Sequence, residues 1–270
     1  SNFKLTHNKM ELKIFQVDAF TDRVFSGNPA AVCPLDKWLP TELMQKIALE
    51  NNLSETGFYI KKGNDYEIRW FTPAVEVDLC RHATLATAYV IFKYDNFPGK
   101  EIIFHSRSGI LKVRKKEELL ILDFPADKME KIDMPENSED CFGINPLEAY
   151  KGKTDMMFIF SSQKEIEEMN PNFYLINKLD ARGIIVTAKG NEVDFVSRFF
   201  CPQVGINEDP VTGSAHTTLT PYWAKKLNKT KLSAIQLSKR KGELWCEILD
   251  ERVEIAGKAT TYMTGQINIE

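Results

Sequence analysis

The chain has 270 residues, a length that predicts one or two domains. Hydrophobic residues make up 43% of it and charged residues 27%, the balance of a soluble globular protein. Its 35 basic and 38 acidic residues leave a net charge of −3, which offers no electrostatic attraction for nucleic acid or an anionic membrane. We therefore expect neither nucleic acid nor membrane among its partners.

Five cysteines are spread along the chain without a Cys-x-x-Cys pair: Cys33, Cys80, Cys141, Cys201 and Cys246. This odd number predicts neither a zinc knuckle nor a disulfide framework, and reduced thiols are typical of the cytoplasm. No cluster of His and acidic residues predicts a metal-dependent hydrolase either. The longest apolar runs are far shorter than the ~20 residues that span a bilayer. The sequence thus predicts a cytoplasmic protein.

The predicted strands and helices alternate along the chain. Residues 12–20 have the alternation of a strand, and Gly27-Asn28-Pro29 separates them from a second short strand at residues 30–33. A helix follows Pro40, with Thr41 as its N-cap. Further strands are predicted at residues 59–60, 67–71, 101–104 and 119–122.

A short internal repeat divides the chain. Residues 69–75 (Arg-Trp-Phe-Thr-Pro-Ala-Val) and 198–204 (Arg-Phe-Phe-Cys-Pro-Gln-Val) share Arg, an aromatic residue, Phe, Pro and Val in register. Each copy leads through an acidic connector into a helix, at residues 82–92 and 214–224. The polar stretch at residues 127–140 is the predicted crossing between the halves. Such a duplication predicts two similar lobes with a cleft between them.

The two predicted helices differ in composition. The first is apolar nearly all round and has small Ala and Thr residues in its first turns. That pattern is typical of a helix buried on every side, as within a curled sheet. The second contains Pro221, which predicts a kink or a restart.

Both helices begin with unpaired backbone N–H groups and the positive end of a helix dipole, which together suit an anion. If the lobes face each other, the two N-termini converge on a small anionic substrate. Gly213 allows the backbone to approach a ligand, and Ser214 can donate to a carboxylate. The alternative left open is that Thr212 and Ser214 only cap the helix and Gly213 only forms a turn.

Two side chains near these helices are candidates for proton transfer. His82 stands at a helix N-terminus, where the dipole favours a neutral imidazole that donates, accepts or relays a proton. Glu55 lies between a helix end and a strand with no Lys or Arg beside it, which makes it a candidate general acid/base. Each has an ordinary alternative: a buried histidine bonded to the backbone, and a solvated loop carboxylate.

Taken together, several segments resemble the PhzF-like isomerase family, which is named for an enzyme of phenazine biosynthesis and shares the fold of diaminopimelate epimerase. The segments are residues 17–21, 27–32, 53–56, 78–85 and 208–216. The combination of Gly-Asn-Pro-Ala with Asp-Pro-x-Thr-Gly-Ser-Ala is specific, and the match extends from about Leu12 to the C-terminus. The run through Pro221-Tyr222-Trp223 is similar to the branch that contains the MAWD-binding protein.

The resemblance implies an α+β fold of two pseudo-symmetric lobes, each a rolled, barrel-like β-sheet around a central α-helix. We expect the first lobe to comprise residues 10–124 with a C-terminal strand at about 260–270, and the second to comprise residues 125–259. The resemblance also implies a homodimer, and an active site between the lobes that uses no cofactor and no metal.

The resemblance also assigns roles to individual residues. The catalytic residues are Glu55, His82 and Asp209. The substrate-binding residues are Ser214, Gly213, Thr212, Arg81 and Asn28. The implied activity is that of an isomerase: Glu55 takes a proton from one carbon of a small cyclic or amino acid-like carboxylate and returns it to another on the same face.

Two residues depart from what the fold's relatives have. Cys80 lies where one thiol of a two-cysteine racemase stands, but the second lobe has Val211-Thr212-Gly213 there. One thiol cannot serve both faces of a carbon, so racemisation is disfavoured and Cys80 is expected to pack as a small apolar residue. Arg81 stands where the family that the sequence resembles usually has Gly. Three alternatives are open for its side chain: it clamps a substrate carboxylate, it fills the pocket, or it turns outward. If Arg81 has removed the chemistry, the protein is a non-catalytic small-molecule-binding or protein-interaction member of the same scaffold.

Overall fold

The computed structural model describes residues 10–269, and eighteen β-strands account for most of its regular structure. They are β1 (Met10–Ala19), β2 (Asn28–Leu35), β3 (Glu55–Lys62), β4 (Asp65–Phe71), β5 (Glu76–Val77), β6 (Glu101–Ser106), β7 (Gly109–Lys116), β8 (Leu119–Pro125), β9 (Glu130–Ile132), β10 (Glu148–Lys151), β11 (Asp155–Ile159), β12 (Gly183–Lys189), β13 (Phe195–Cys201), β14 (Ile206–Glu208), β15 (Lys231–Gln236), β16 (Gly242–Leu249), β17 (Arg252–Gly257) and β18 (Ala259–Ile269).

The same part of the chain forms six α-helices and one short 3-10 turn, Pro202–Val204. The helices are α1 (Thr41–Asn51), α2 (Arg81–Tyr94), α3 (Ser138–Phe142), α4 (Gln163–Glu168), α5 (Phe173–Ile176) and α6 (Gly213–Leu227). Within residues 10–269 none of these helices has the length and apolar character needed to cross a membrane. The strands join one mixed sheet, so the fold is α+β as predicted, and the sheet is not a closed barrel.

The two halves of the chain repeat one order of strand pairings. In the first half β1–β2 is antiparallel, β2–β3 parallel, β3–β4 antiparallel and β4–β6 parallel. In the second half β10–β11, β11–β12, β12–β13 and β13–β15 follow the same series of directions. The predicted duplication is therefore confirmed by the topology.

Two further pairings tie the halves together. Each half ends in an antiparallel meander, β6–β7–β8 or β15–β16–β17, and β8 pairs with β17. The last strand, β18, returns to β1 with a register from Met10↔Ile269 to Ala19↔Ala259. Residue 270 of the predicted C-terminal strand lies outside the described residues, and the lobe boundaries at 124/125 and 259/260 stay a prediction.

The arginine of the repeat pairs with a glutamate of the following connector in both halves. Arg69 donates from Nε and Nη2 to the two carboxylate oxygens of Glu76 at 2.7 and 2.8 Å. Arg198 donates in the same way to Glu208 at 2.8 and 2.9 Å. A planar guanidinium suits such bidentate pairing. Each pair fastens an acidic connector to the preceding strand, and this fixes the chain that leads into α2 or α6.

The helices α2 and α6 are the central helices of the two halves. Side chains from His82 to Ala88 of α2 are all buried, and this helix packs against β1, β2, β3 and β8. Small residues permit the close approach: a Cβ atom on Gly57 of β3 would lie 2.9 Å from Thr87 Oγ1. The prediction of a helix enclosed by strands is confirmed.

Pro221 lies inside α6, which continues from Gly213 to Leu227 as one helix. The predicted restart of the helix at Pro221 is wrong, because the hydrogen bond that proline cannot make is replaced. Proline has no N–H to donate to the carbonyl four residues earlier, that of Thr217. The backbone N–H of Asp127, in the crossing between the halves, donates to that carbonyl instead at 3.1 Å. The orphaned acceptor is therefore satisfied and the helix is preserved.

Candidate active site

A cavity of about 160 Å³ lies where the N-termini of α2 and α6 meet. It is lined by Glu55 at the start of β3, His82 in the first turn of α2 and Asp209 after β14. The three predicted catalytic residues, distant in sequence, are thus brought together. A wider groove of about 1080 Å³ runs along the C-terminal half of α6, and none of the predicted site residues lines it.

Glu55 and His82 form the centre of this cavity. His82 Nε2 lies 3.1 Å from Glu55 Oε2, within ion-pair distance although the two atoms are not aligned as a hydrogen bond. Burial disfavours the imidazolium, but Cys80 and Glu55 outweigh it and raise the pKa of His82 well above its usual range. The two contacts that raise it are Cys80 Sγ, 3.4 Å from Nδ1, and Glu55 Oε2, 3.1 Å from Nε2. The predicted neutral imidazole is therefore wrong, since a contacting carboxylate outweighs the helix dipole.

Two thiols line the cavity. Cys80 is the N-cap residue of α2, and its Sγ lies 3.4 Å from His82 Nδ1, so it does more than fill space. Cys201 lines the cavity from the second half. Sequence reasoning missed this second thiol, because Cys201 lies in the repeat and not in the connector before a central helix. Burial raises the pKa of Cys201 to about 12, with Asp209 adding to the effect, so this thiol also stays protonated at neutral pH.

Glu55, Cys80 and His82 also bring three candidate metal-ligand atoms within 4.8 Å of one another, a cluster that the sequence did not reveal. The sulfur faces Nδ1 of the imidazole, whereas the carboxylate faces Nε2. A metal ion binds one imidazole nitrogen, so ligands on opposite nitrogens do not converge on one ion. The arrangement suits proton transfer better than metal binding.

Asp209 is held from both sides of the cleft. Asn28 Nδ2 donates to its Oδ1 at 2.9 Å, and Thr212 Oγ1 donates to its Oδ2 at 2.6 Å. Burial raises the pKa of Asp209, while the charge of His82 and these hydrogen bonds oppose the rise. The side chain therefore retains a proton more readily than an ordinary aspartate. The Thr212 hydroxyl donates to Asp209 and makes no side-chain hydrogen bond to the N-terminus of α6. The alternative that Thr212 only caps this helix is therefore wrong.

Asn28 is not a lining residue of the cavity, and it is fully buried. Its Nδ2 also donates to the carbonyl of Val211 at 2.9 Å, so both amide protons point to the second half of the chain. From the other side Gln236 donates to the carbonyl of Asp209 at 2.8 Å. Asn28 thus positions Asp209, and its predicted contact with substrate stays a prediction. Gln236 belongs to no motif, and sequence reasoning missed it.

Replacing Asn28 by Leu should lower the free energy of unfolding by about 1–3 kcal/mol, the typical cost of leaving buried polar groups without a partner. Leu has a similar volume but cannot donate to Asp209 or Val211. Urea unfolding measures the change. Asn170→Leu, at an exposed site, is the matched control and should stay close to wild type. Equal stability of the two variants would contradict the positioning role.

Comparisons with known proteins identify the family of this chain. Residues 17–265 match the family described as phenazine biosynthesis-like protein. The chain belongs to this family. An uncharacterized isomerase of Pseudomonas aeruginosa is 49% identical over 260 residues, which cover 96% of this chain and all of that protein.

Solved structures support the same family assignment. A PhzF family protein of Enterococcus faecalis has a TM-score of 0.95 at 49% identity, covering 96% of this chain and 100% of that one. A hydroxyproline epimerase of Agrobacterium vitis has a TM-score of 0.60 at 10% identity, covering 96% and 93% of the two chains. The second likeness concerns the fold alone.

Arg81 fills the space between the two helix N-termini. Its guanidinium carbon lies 4.2 Å from the centroid of the Phe124 ring. A Cβ atom on Gly213 would lie 2.9 Å from Arg81 Cβ, so Gly213 is required by this contact. Arg81 still lines the cavity together with Glu55 and His82. It therefore narrows the cavity without displacing Glu55 or His82 from its wall.

Gly213→Ala should destabilise the protein by about 1–3 kcal/mol, the usual range for overpacking. The same change in an Arg81→Gly background should cost close to nothing, because the clashing Cβ and Cδ atoms of Arg81 are gone. Thermal or urea unfolding of the four proteins gives the coupling energy of this pair. Equal costs of Gly213→Ala in both backgrounds would contradict the contact.

Arg182 completes the wall of the cavity and was missed by sequence reasoning. It directly precedes β12, and its Nε and Nη2 donate to the two oxygens of Asp155 at 3.0 and 2.7 Å. Nη2 also lies 3.4 Å from Ser214 Oγ. Ser214 and Arg182 thus present a hydroxyl and a cation at the N-terminus of α6. In the sequence, only the position of Arg182 directly before a buried strand indicated that this arginine could reach the site.

Proposed function

We propose that the protein is a cofactor-independent isomerase that moves a proton between carbon atoms of a small carboxylated metabolite. One observation carries the proposal: the Glu55 carboxylate lies 3.1 Å from the His82 imidazole in a cavity between two helix N-termini. A proton-transfer group and an anion-binding environment are what such a reaction requires.

Glu55 is the best candidate for the group that takes and returns the proton. The thiols of Cys80 and Cys201 face the same cavity, but their raised pKa values keep them protonated, so they are poor bases. His82 carries a raised pKa and stabilises negative charge beside Glu55. A single base serves one face of a substrate carbon, which supports same-face transfer rather than two-thiol racemisation.

The N-termini of α2 and α6 are the proposed site for the substrate carboxylate. Backbone N–H groups at both ends and the hydroxyl of Ser214 offer hydrogen bonds to a carboxylate. A cavity of about 160 Å³ is below the 300–1,000 Å³ typical of drug-sized ligands. A small metabolite therefore fits the site best.

The names of relatives support the reaction class. The protein of Pseudomonas aeruginosa that is 49% identical is named an isomerase, and so is a relative of Halalkalibacterium halodurans at 45% identity. The non-catalytic alternative rests on Arg81. Its weight is reduced because Glu55, His82 and Asp209 all still line the cavity.

A product screen tests this proposal. We expect the wild-type protein to convert at least one member of a panel of small cyclic and amino carboxylic acids into an isomer of the same mass, detected by proton NMR. Binding of these acids without any isomer would reject the proposal in favour of the binding protein.

A further inference from the structure

Two arginines lie at the cavity beyond the groups that transfer the proton. Arg182 is held rigidly by its two hydrogen bonds to Asp155, whose side chain is only 4% exposed. These bonds use Nε and Nη2, and the Arg182 side chain as a whole remains 46% exposed. The Asp155 pair therefore fixes a cation at the cavity while leaving part of it free for a ligand.

Arg81 supplies the second cation, and it lacks a partner. Its Nε is buried without a hydrogen-bond acceptor, and among residues 10–269 no carboxylate lies within ion-pair distance of its guanidinium. The side chain is kept in place by the Phe124 ring and the backbone at Gly213. A largely buried and unpaired cation is costly unless an anion compensates it.

The two cations also affect each other. Burial and the nearby charge of Arg182 together lower the pKa of Arg81 to about 10. The charged groups that face them are the imidazole of His82 and the carboxylates of Glu55, Asp209 and Asp155, with Asp127 also near Arg81. Asp155 is already paired with Arg182, so among residues 10–269 Arg81 has no carboxylate of its own at ion-pair distance.

We propose that the guanidinium groups of Arg81 and Arg182 form a subsite for a second acidic group of the substrate. The preferred substrate is then a short diacid, with one carboxylate at the helix N-termini and the other between the arginines. The inference rests on the proposed function only in placing the substrate in this cavity. The small volume limits the chain that joins the two acidic groups to a few carbon atoms.

Paired probes of equal size test the subsite without any need for turnover. Calorimetric titration compares glutarate with glutaramate, its monoamide, which has the same shape and one charge fewer. We expect wild-type protein to bind glutarate roughly 10-fold more tightly, the equivalent of one charge-assisted hydrogen bond. Equal affinity, or no binding of either probe, overturns the subsite.

Two variants and one control locate the effect. Arg81→Met keeps the alkyl stem over Phe124 but removes the charge. Arg182→Gln combined with Asp155→Asn removes the second cation without leaving a carboxylate buried alone. Both should lose most of the preference for glutarate. Arg23→Gln removes an equal charge from an exposed site and should retain the preference.

The two proposals fail in different ways. A diacid preference that disappears in the arginine variants, with no isomer formed from any acid, supports the subsite and rejects the isomerase. Isomerisation of monocarboxylic acids with no preference for diacids supports the isomerase and rejects the subsite. A preference that survives in both arginine variants places the second acidic group elsewhere and overturns the subsite.

Discussion

Replacing Glu55 by Gln should lower the rate of isomerisation by roughly 10²–10⁴-fold, the contribution typical of a general acid/base. Gln has the same size and forms hydrogen bonds, but it does not accept a proton from carbon. The side chain is only 17% exposed and lies against His82, so the exchange preserves the packing. We therefore expect the melting temperature to stay near that of the wild-type protein.

Glu50→Gln is the matched control, because it makes the same chemical change at an exposed position of α1. Its rate should equal that of the wild-type protein. A second readout separates chemistry from structure: Glu55→Gln should also lower the pKa of His82, measured by NMR, since the carboxylate that raises it is gone. Full activity in Glu55→Gln would reject the assignment of the base.

His216 should make the protein less stable in acid. It is fully buried in α6, where Nδ1 donates to the carbonyl of Thr212 at 2.9 Å and Nε2 has no partner. Burial lowers its pKa from 6.5 to about 4. Between pH 6.5 and about pH 4, His216 is therefore protonated in the unfolded chain but neutral in the folded protein. Its contribution is fully present above pH 6.5, and about 3 kcal/mol is lost as the pH falls to about 4.

Urea unfolding between pH 4 and pH 7.5 measures this loss. Several carboxylates also titrate in the acid range, so the comparison needs a variant. His216→Asn keeps a donor near the position of Nδ1 but has no proton to gain. We expect its stability to fall less steeply below pH 6.5 than that of the wild-type protein. Parallel curves would contradict the role given to His216.

Much of the fold could be predicted because the repeat has a physical cause. Arg69 and Arg198 recur since each fastens the connector that leads into a central helix, and this makes the duplication visible in sequence. The buried character of α2 was equally visible in its composition. The course of α6 through Pro221 was not, because the compensating donor is Asp127, far away along the chain.

Site residues that lie in a recognisable motif could be predicted from the sequence. Site residues that only the fold places at the cavity were missed. Glu55, His82 and Asp209 lie in the segments that resemble the family, and they meet at one cavity. Cys201, at a variable position of the repeat, and Arg182, which belongs to no motif, reach that cavity from strand ends. The charge of His82 was mispredicted for the same reason, because the sequence does not reveal its contact with Glu55.

The central claim is that Glu55 moves a proton on carbon. Its most direct test is proton NMR of the wild-type protein and Glu55→Gln, each incubated in deuterated buffer with the same panel of small carboxylic acids. We predict that the wild-type protein forms an isomer, with or without carbon-bound deuterium since same-face return can retain the original proton. We predict neither isomer nor carbon-bound deuterium with Glu55→Gln. An isomer formed equally by both proteins would contradict the account.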